Sequence, residues 1–328
     1  MLLLPNAMLE VKVREFRHSD YDSYAAIHNA LNPTHPLFLE RAKYEDSCFE
    51  RTRYRMKRYV AESDRGEMVG VGGFEHLFFS YHPHRFALSV EVHPTWQRRG
   101  IGGLLYERLE SELRSAGAEA AWAIVESTHS ESVAFVRKRG FAEKRRFLES
   151  TLDLTSFDPA KFEPRAKELE SKGIVFASLA EEMSRDPTSG RKLYELENSA
   201  DRDVPNIVKP NPMSYHDYNI IILKSPVMLW EGSFVAKKDY LYVGSSSVIK
   251  SGLKDTIEQG FTAVRPGFRR RGLAQAVKLM VAKHTRSHGV KSILTHNDSQ
   301  NEAILTVNEK LGFVRRSERI EFEKVLQD

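Results

Sequence analysis

The chain has 328 residues, enough for two domains of ordinary size. Its 41% hydrophobic and 29% charged residues describe a globular protein with apolar cores, and a net charge of +4 falls short of the basic patch or stripe that nucleic-acid binding needs. A single cysteine, Cys48, excludes an internal disulfide and a thiolate metal site and points to a reducing, cytoplasmic setting.

The opening run Met1-Leu2-Leu3-Leu4-Pro5 is too short for a signal-peptide core and lacks a basic flank; Met8 is an alternative start. No apolar stretch approaches the length of a membrane span, so no membrane partner is expected. From there the expected elements are a strand at Val11–Phe16, helices at Tyr21–Ala30 and Leu39–Cys48, and strands at Tyr59–Glu62, Met68–Phe79 and Ala87–Val92. Cys48 reads as a bystander on its helix, since no histidine lies near it. A helix follows in which Ile101, Leu104, Leu105 and Leu109 share one face, with Gly117 where a C-terminal cap belongs. A strand at Ala121–Val125, a second helix stopped by Gly140 and a strand from Phe141 complete this part.

The charged stretch 155–172, with Pro159 and Pro164, reads as a linker between domains at 9–154 and 173–328. Beyond it the order recurs. A strand at Ile174–Ser178 precedes helices at Arg191–Ser199 and Tyr215–Lys224, then strands at Met228–Ala236, Tyr240–Ile249 and Gln259–Val264. The next helix carries Leu273, Val277, Met280, Val281 and His284 on one face, and Gly289 follows it. A strand at Ser292–Thr295, a helix ending at Leu311-Gly312 and a strand from Phe313 close the chain.

The two halves repeat in sequence as well as in element order. Val92-His93-Pro94-Thr95-Trp96-Gln97-Arg98-Arg99-Gly100-Ile101-Gly102 aligns with Val264-Arg265-Pro266-Gly267-Phe268-Arg269-Arg270-Arg271-Gly272-Leu273-Ala274. The offset of 172 (272 − 100) then holds without a gap, pairing Gly117 with Gly289, Ser127 with Ser299, and Gly140-Phe141 with Gly312-Phe313. A constant offset over so long a stretch implies two copies of one supersecondary unit.

Each copy places a glycine-bearing loop between a strand and a helix. A helix N-terminus has unpaired N–H groups and the positive end of the helix dipole, so it accepts an anion. A diphosphate has to approach the backbone closely, which Gly100 and Gly102 allow in one copy and Gly272 and Ala274 in the other. Arg98 and Arg99, and Arg269, Arg270 and Arg271, add positive charge beside them. The competing reading, a solvated Arg-Arg-Gly turn, is weakened because the arrangement occurs twice in the same context.

Gln97-x-x-Gly100-x-Gly102 and Arg269-x-x-Gly272-x-Ala274 resemble the acetyl-CoA loop of the GCN5-related N-acetyltransferase (GNAT) family, and both Gly-Phe pairs stand where that family has them. The second copy also resembles a subgroup of the family through Thr262, Val264, Lys278, Thr295, Asn297, Asn301 and Asn308. Tandem members such as mycothiol synthase are similar in plan. The resemblance is specific over 258–313, weaker over 86–141 and faint upstream. It implies two α/β (α+β) domains, each a mixed, largely antiparallel sheet flanked by helices. It also implies transfer of an acetyl group from acetyl-CoA to a primary amine on a small molecule or peptide.

Carried over residue by residue, the resemblance implies that Val92 and Val264 pair with pantetheine through the backbone, in the manner of strand addition. Gln97, Arg98, Arg99, Gly100, Ile101 and Gly102, and Arg269, Arg270, Arg271, Gly272, Leu273 and Ala274, then hold the diphosphate. Asn301 matches a cofactor-contacting position, where the first copy has His129. A frequent general base in the family lies six residues before the valine, which is Glu258 here and Phe86 in the first copy. Glu258 also reads as a solvated carboxylate at a strand start; Glu91 and Asp255 are further carboxylates with less positional support.

The family's usual acid, a tyrosine, is replaced by Val136 and Asn308. The leaving thiolate is then expected to take its proton from water or from a group elsewhere, and the presence of Glu258 against Phe86 sets the expectation that chemistry belongs to the second copy. Carboxylates at Glu195, Glu197, Asp201 and Asp203 could greet a cationic acceptor or form a solvated face. No metal site is expected, His82 and His84 reading as a surface loop. A non-catalytic acyl-CoA-binding or regulatory module is the alternative function, and oligomeric state is left open.

Overall fold

The computed structural model describes residues 11–49, 53–201 and 213–327. In chain order these form strand β1 (Val11–Glu15), helices α1 (Tyr21–Leu31) and α2 (Leu39–Cys48), strands β2 (Met56–Ser63), β3 (Met68–Glu75) and β4 (Arg85–Val92), helix α3 (Ile101–Ser115), strand β5 (Ala120–Glu126), helix α4 (Ser130–Lys138) and strand β6 (Ala142–Asp153). The chain continues through α5 (Glu163–Ser171), β7 (Ile174–Ser178), α6 (Leu179–Arg185), α7 (Ser189–Asp201), α8 (Tyr215–Tyr218), β8 (Phe234–Lys238), β9 (Leu241–Lys250) and β10 (Thr256–Val264). It ends with α9 (Leu273–Ser287), β11 (Ser292–Asp298), α10 (Glu302–Leu311) and β12 (Val314–Val325).

Contacts divide the chain into two compact units. Unit 1 holds the residues up to Ile124, Gly140–Ala142 and the last residues from Glu323; unit 2 holds Val125–Arg139 and Glu143–Phe322.

In unit 1, β1, β2, β3 and β4 pair antiparallel in that order and β5 runs parallel to β4. Helix α3 buries Ile101, Leu105, Tyr106, Leu109 and Leu113, a spacing that keeps one apolar stripe against the sheet. Leu104, expected on that stripe, is exposed, because one residue back from Leu105 turns it about 100° off the face.

In unit 2 the strand order is β12-β6-β11-β10-β9-β8-β7. Strand β6 belongs to the first sequence copy, yet it pairs antiparallel with β11 of the second, from Asp153↔Ser292 to Phe147↔Asp298. The sequence repeat and the compact units therefore do not coincide. The core is centred on α9, whose Leu273, Val277, Leu279 and Val281 meet Leu152 of β6, Ile257 of β10 and Ile293 of β11.

Residues 155–172, expected as a linker, are built into this core. Phe157, Ala166 and Leu169 are buried in it, the Lys283 ammonium pairs with Glu163 at 2.7 Å, and the Arg286 guanidinium donates to the Phe157 carbonyl at 2.7 Å. Three other expectations shift, the first being that the strand expected over Met68–Phe79 ends at Glu75, with a 3-10 turn at Phe78–Ser80. The helix expected over 215–224 is α8 followed by a π-helical turn at Asn219–Leu223. The strand expected from Met228 starts at Phe234, with Met228 making one isolated bridge to Ile249. No helix among the described residues is long and apolar enough to cross a membrane.

Leu279 is fully buried at the centre of the unit 2 core. Leu279→Ala is expected to destabilise that unit by about 2–5 kcal/mol, whereas Leu104→Ala on the exposed face of α3 costs about 0.5 kcal/mol or less, as measured by urea denaturation. Equal losses would contradict the packing described.

Candidate functional site

The two loops have the same backbone course. Pro94–Trp96 and Pro266–Phe268 each make one 3-10 turn, closed by N–H groups of Trp96 and Phe268 donating to His93 and Arg265 carbonyls at 2.8 Å. Next the chain enters the left-handed region twice in each loop, at Arg98 (φ 61°) and Gly100 (φ 85°), and at Arg270 (φ 58°) and Gly272 (φ 78°). An arginine held there costs free energy, so the geometry has a purpose beyond a turn. The two left-handed residues bend each loop just ahead of a helix N-terminus, whose first-turn N–H groups suit an anion.

Gly100 and Gly272 are also the N-caps of α3 and α9, and neither offers a side-chain acceptor to the first helical turn. Ile101 and Leu273 face the cores, while Gly102 and Ala274 keep the next position small. Gln97 and Arg269 do not simply point outward: each donates from its side chain to the carbonyl five residues back, Val92 and Val264, at 3.1 Å. They brace the loop. Arg99 lies over Trp96 and donates to the Thr95 carbonyl at 3.0 Å, and Arg271 lies over Phe268.

Beside each loop, two parallel strands part. β4 pairs with β5 over Arg85, Phe86 and Ala87 only, and β10 pairs with β11 over Thr256, Ile257 and Glu258 only. Beyond those pairs the strands separate, leaving β4 and β10 with unshared backbone groups up to Val92 and Val264. A slot of this kind accepts an extended ligand as an added strand.

The two slots differ by one residue. Gln259 faces Val248 and Thr262 faces Ser246, so Gly260 and Phe261 both stand opposite Ser247: a β-bulge. In unit 1 the pairs Leu88↔Phe74, Ser89↔Gly73 and Val90↔Gly72 run without interruption. The counterpart of Glu258 is therefore Ala87, which faces Trp122 as Glu258 faces Leu294, and counting residues back to Phe86 misses it by the bulge. Because of the bulge, residue parity does not carry across Gln259–Thr262.

Glu258 is one of three titratable groups on neighbouring strands of unit 2. His296 on β11 lies with Nε2 3.0 Å from Glu149 Oε2 on β6 and with Nδ1 3.4 Å from Glu258 Oε1 on β10. Burial opposes a charge on His296, but hydrogen bonds to Glu149 and Glu258 outweigh it and raise its pKa above 6.5. Glu149 is nearly buried and Glu258 is half-open. A buried carboxylate orienting an imidazole whose other nitrogen faces a second carboxylate can accept and pass a proton. His296 and Glu149 went unseen in the sequence; Glu149 in particular reaches the site through the pairing of β6 with β11.

Unit 1 has its carboxylates elsewhere. Glu91, next to Val92, lies 2.9 Å from His28 Nδ1 on α1, and burial pushes the Glu75 carboxyl up to about 7. Asp255 pairs with Lys291 at 2.8 Å at the start of β10. Asn301 caps α10, accepting from the Ile304 N–H, and His129 takes the same position before α4. Asn308 donates to Asn297 at 2.7 Å, and Val136 is buried. Of the acidic run, Glu195 is exposed and Glu197 accepts from Tyr218 at 2.7 Å; Asp203 lies outside the described residues. Burial raises the Cys48 thiol pKa, which makes it a poor nucleophile.

Residues 24–141 match the profile described as the Acetyltransferase (GNAT) family. Among solved structures, the chain is similar to a GCN5-related N-acetyltransferase from Sphaerobacter thermophilus, at a TM-score of 0.72 and 14% identity over 99% of this chain and 98% of that one. It is also similar to a tandem GNAT protein from the clavulanic acid biosynthesis pathway, at a TM-score of 0.73 and 19% identity over 97% and 99%. At these identities the likeness is one of fold, and it spans both halves. No curated protein matches in sequence.

Because His296 has a folded-state pKa above its unfolded value, its contribution to stability is full below about 6.5 and is lost as pH rises through the folded value. The stability difference between the wild type and His296→Gln, from urea unfolding, is expected to shrink as the medium becomes alkaline. A difference that grows with pH would overturn the pairing.

Proposed function

We propose, from the premise that this chain carries a GNAT-family domain at 24–141 and the tandem GNAT fold throughout, that it is an acetyl-CoA-dependent N-acetyltransferase acting on a primary amine. The observation that carries the reading is the duplicated loop: two left-handed residues, then an uncapped helix N-terminus, beside a strand that has lost one neighbour. A solvated turn needs neither the strained arginine nor the parted strands. Together they suit a ligand with a diphosphate at one end and an extended amide-bearing arm at the other. GNAT family members use acetyl-CoA, which has that shape and supplies the activated acetyl group.

In this reading the loops from Gln97 to Gly102 and from Arg269 to Ala274 hold the diphosphate through backbone N–H groups and arginine charge. Val92 and Val264 meet the arm through the backbone, and Asn301 keeps α10 in place beside it. The chemistry belongs to unit 2. Glu258, backed by His296 and Glu149, takes the proton that the amine loses as its nitrogen bonds to the acetyl carbon. Unpaired N–H groups along the bulged part of β10 stabilise the oxygen as it gains charge. The thiolate that leaves takes its proton from water, since neither Val136 nor Asn308 can donate one. Unit 1, with Ala87 in place of Glu258, binds the same ligand without this base. The acceptor is a small-molecule or peptide amine, and the protein works in the cytoplasm.

Acetyl transfer is followed by release of free CoA thiol across a panel of primary amines. Glu258→Gln is expected to lower kcat by about 100-fold or more with acetyl-CoA binding retained, while Glu91→Gln in unit 1 leaves kcat within about twofold. The reverse ranking would move the chemistry to unit 1, and no turnover by the wild type with any amine would leave only a binding module.

A further inference from the structure

Lys278, on α9, is buried to 3% exposure, deeper than any other lysine among the described residues. Its ammonium reaches one hydrogen-bond acceptor, Gln259 Oε1 at 3.3 Å, and sits 5.0 Å from the ring centre of Phe313. No carboxylate among the described residues pairs with it. Burial pulls its pKa down to about 7. A buried amine so thinly satisfied costs stability, and a methionine of the same length would fill the space without that cost.

Gln259 is the last residue of β10 before the bulge. Its amide donates to Ser246 Oγ at 2.9 Å and to the Ser247 carbonyl at 2.6 Å. Ser246 Oγ meets Thr262 Oγ1 at 3.0 Å, on the far side of the bulge, and Ser247 Oγ donates to the Phe261 carbonyl at 3.3 Å within it. Ser247 also comes so close to Gly260 that a Cβ there would lie 2.5 Å from Ser247 Oγ. The extra residue of β10 is thus clasped from both ends, and Lys278 takes the one Gln259 oxygen that the clasp leaves over.

Unit 1 provides the comparison. Tyr106 stands where Lys278 does, its hydroxyl accepting from Lys324 at 2.9 Å, and Leu88 stands in the place of Gln259. There β4 runs without a bulge. The polar clasp and the extra residue occur together in unit 2 and are missing together in unit 1.

We infer that Lys278 is a positioning residue: by holding Gln259 it fixes the β10 bulge, and through the bulge the register of Glu258 and of the unpaired N–H groups beyond it. This rests on the assignment of the chemistry to unit 2. The geometry of the clasp, however, is tested without activity.

The experiment is a crystal structure of Lys278→Met, with thermal unfolding and acetyl-transfer kinetics on the same protein. The expected result is loss or shift of the bulge opposite Ser247, a Tm equal to or above that of the wild type, and kcat lower by about 100-fold with KM for acetyl-CoA changed by less than about threefold. A bulge unchanged in Lys278→Met overturns the proposal, as does a lost bulge with wild-type kcat. Gln259→Leu, which installs the unit 1 residue, breaks the same bond from its other end and serves if Lys278→Met does not fold. If neither variant folds, Lys278 is a stability element and the proposal fails. Where the wild type turns over no amine, the functional reading fails while the register of β10 still decides for or against the clasp.

Discussion

The parting of β10 from β11 after three residue pairs constrains everything around it. Backbone N–H and C=O groups that lose a neighbour have to find another partner or water. Along the rest of β10 one row of them is left over, and it runs directly to a helix N-terminus that no side chain caps. The same sequence of events takes place in unit 1, where β4 leaves β5 and leads to α3. An extended ligand with an anionic end satisfies both deficits at once. Magnitudes show that neither deficit suffices alone. A helix terminus contributes at most about 2 kcal/mol to an anion, whereas micromolar affinity needs about 8 kcal/mol. The strand-like contact along the slot and the arginine charges have to make up the difference.

One extra residue separates the two copies in the strand beside the loop. The bulge of β10 brings Gly260 and Phe261 opposite Ser247, and Glu258 opposite Leu294, within 3.4 Å of His296. The unbulged β4 has Ala87 at that place and a different carboxylate, Glu91, four residues further on, about 13 Å along the strand. A carboxylate displaced so far cannot serve the same reacting atom. One slot therefore has a carboxylate beside an imidazole, and the other has an alanine at that place.

Much of this was legible in the sequence, and the parts that were not share a cause. The repeat, the strand–loop–helix order and the position of both loops follow from a constant offset and from local periodicity. The offset of 172 residues is blind to the bulge, because the extra residue lies upstream of Val264 and shifts only what precedes it. Counting back six residues therefore gave Glu258 in one copy but Phe86 rather than Ala87 in the other. His296 stands between Thr295 and Asn297 at the polar end of its strand, where nothing local sets it apart. Its importance comes from Glu149, which β6 delivers by pairing with β11. Nor does composition reveal that 155–172 packs Phe157, Ala166 and Leu169 into a core, since charge dominates its exposed face. Local signals carried the elements, and long-range pairing decided the site.

Calorimetric titration of acetyl-CoA into the wild type, Gly100→Glu and Gly272→Glu decides whether both loops hold the ligand, because each substitution puts bulk and negative charge on a left-handed helix cap. Two sites in the wild type and the loss of one in each variant is the result expected of two working loops. No binding by the wild type, or binding indifferent to both substitutions, would contradict it and leave the duplicated loops as architecture alone.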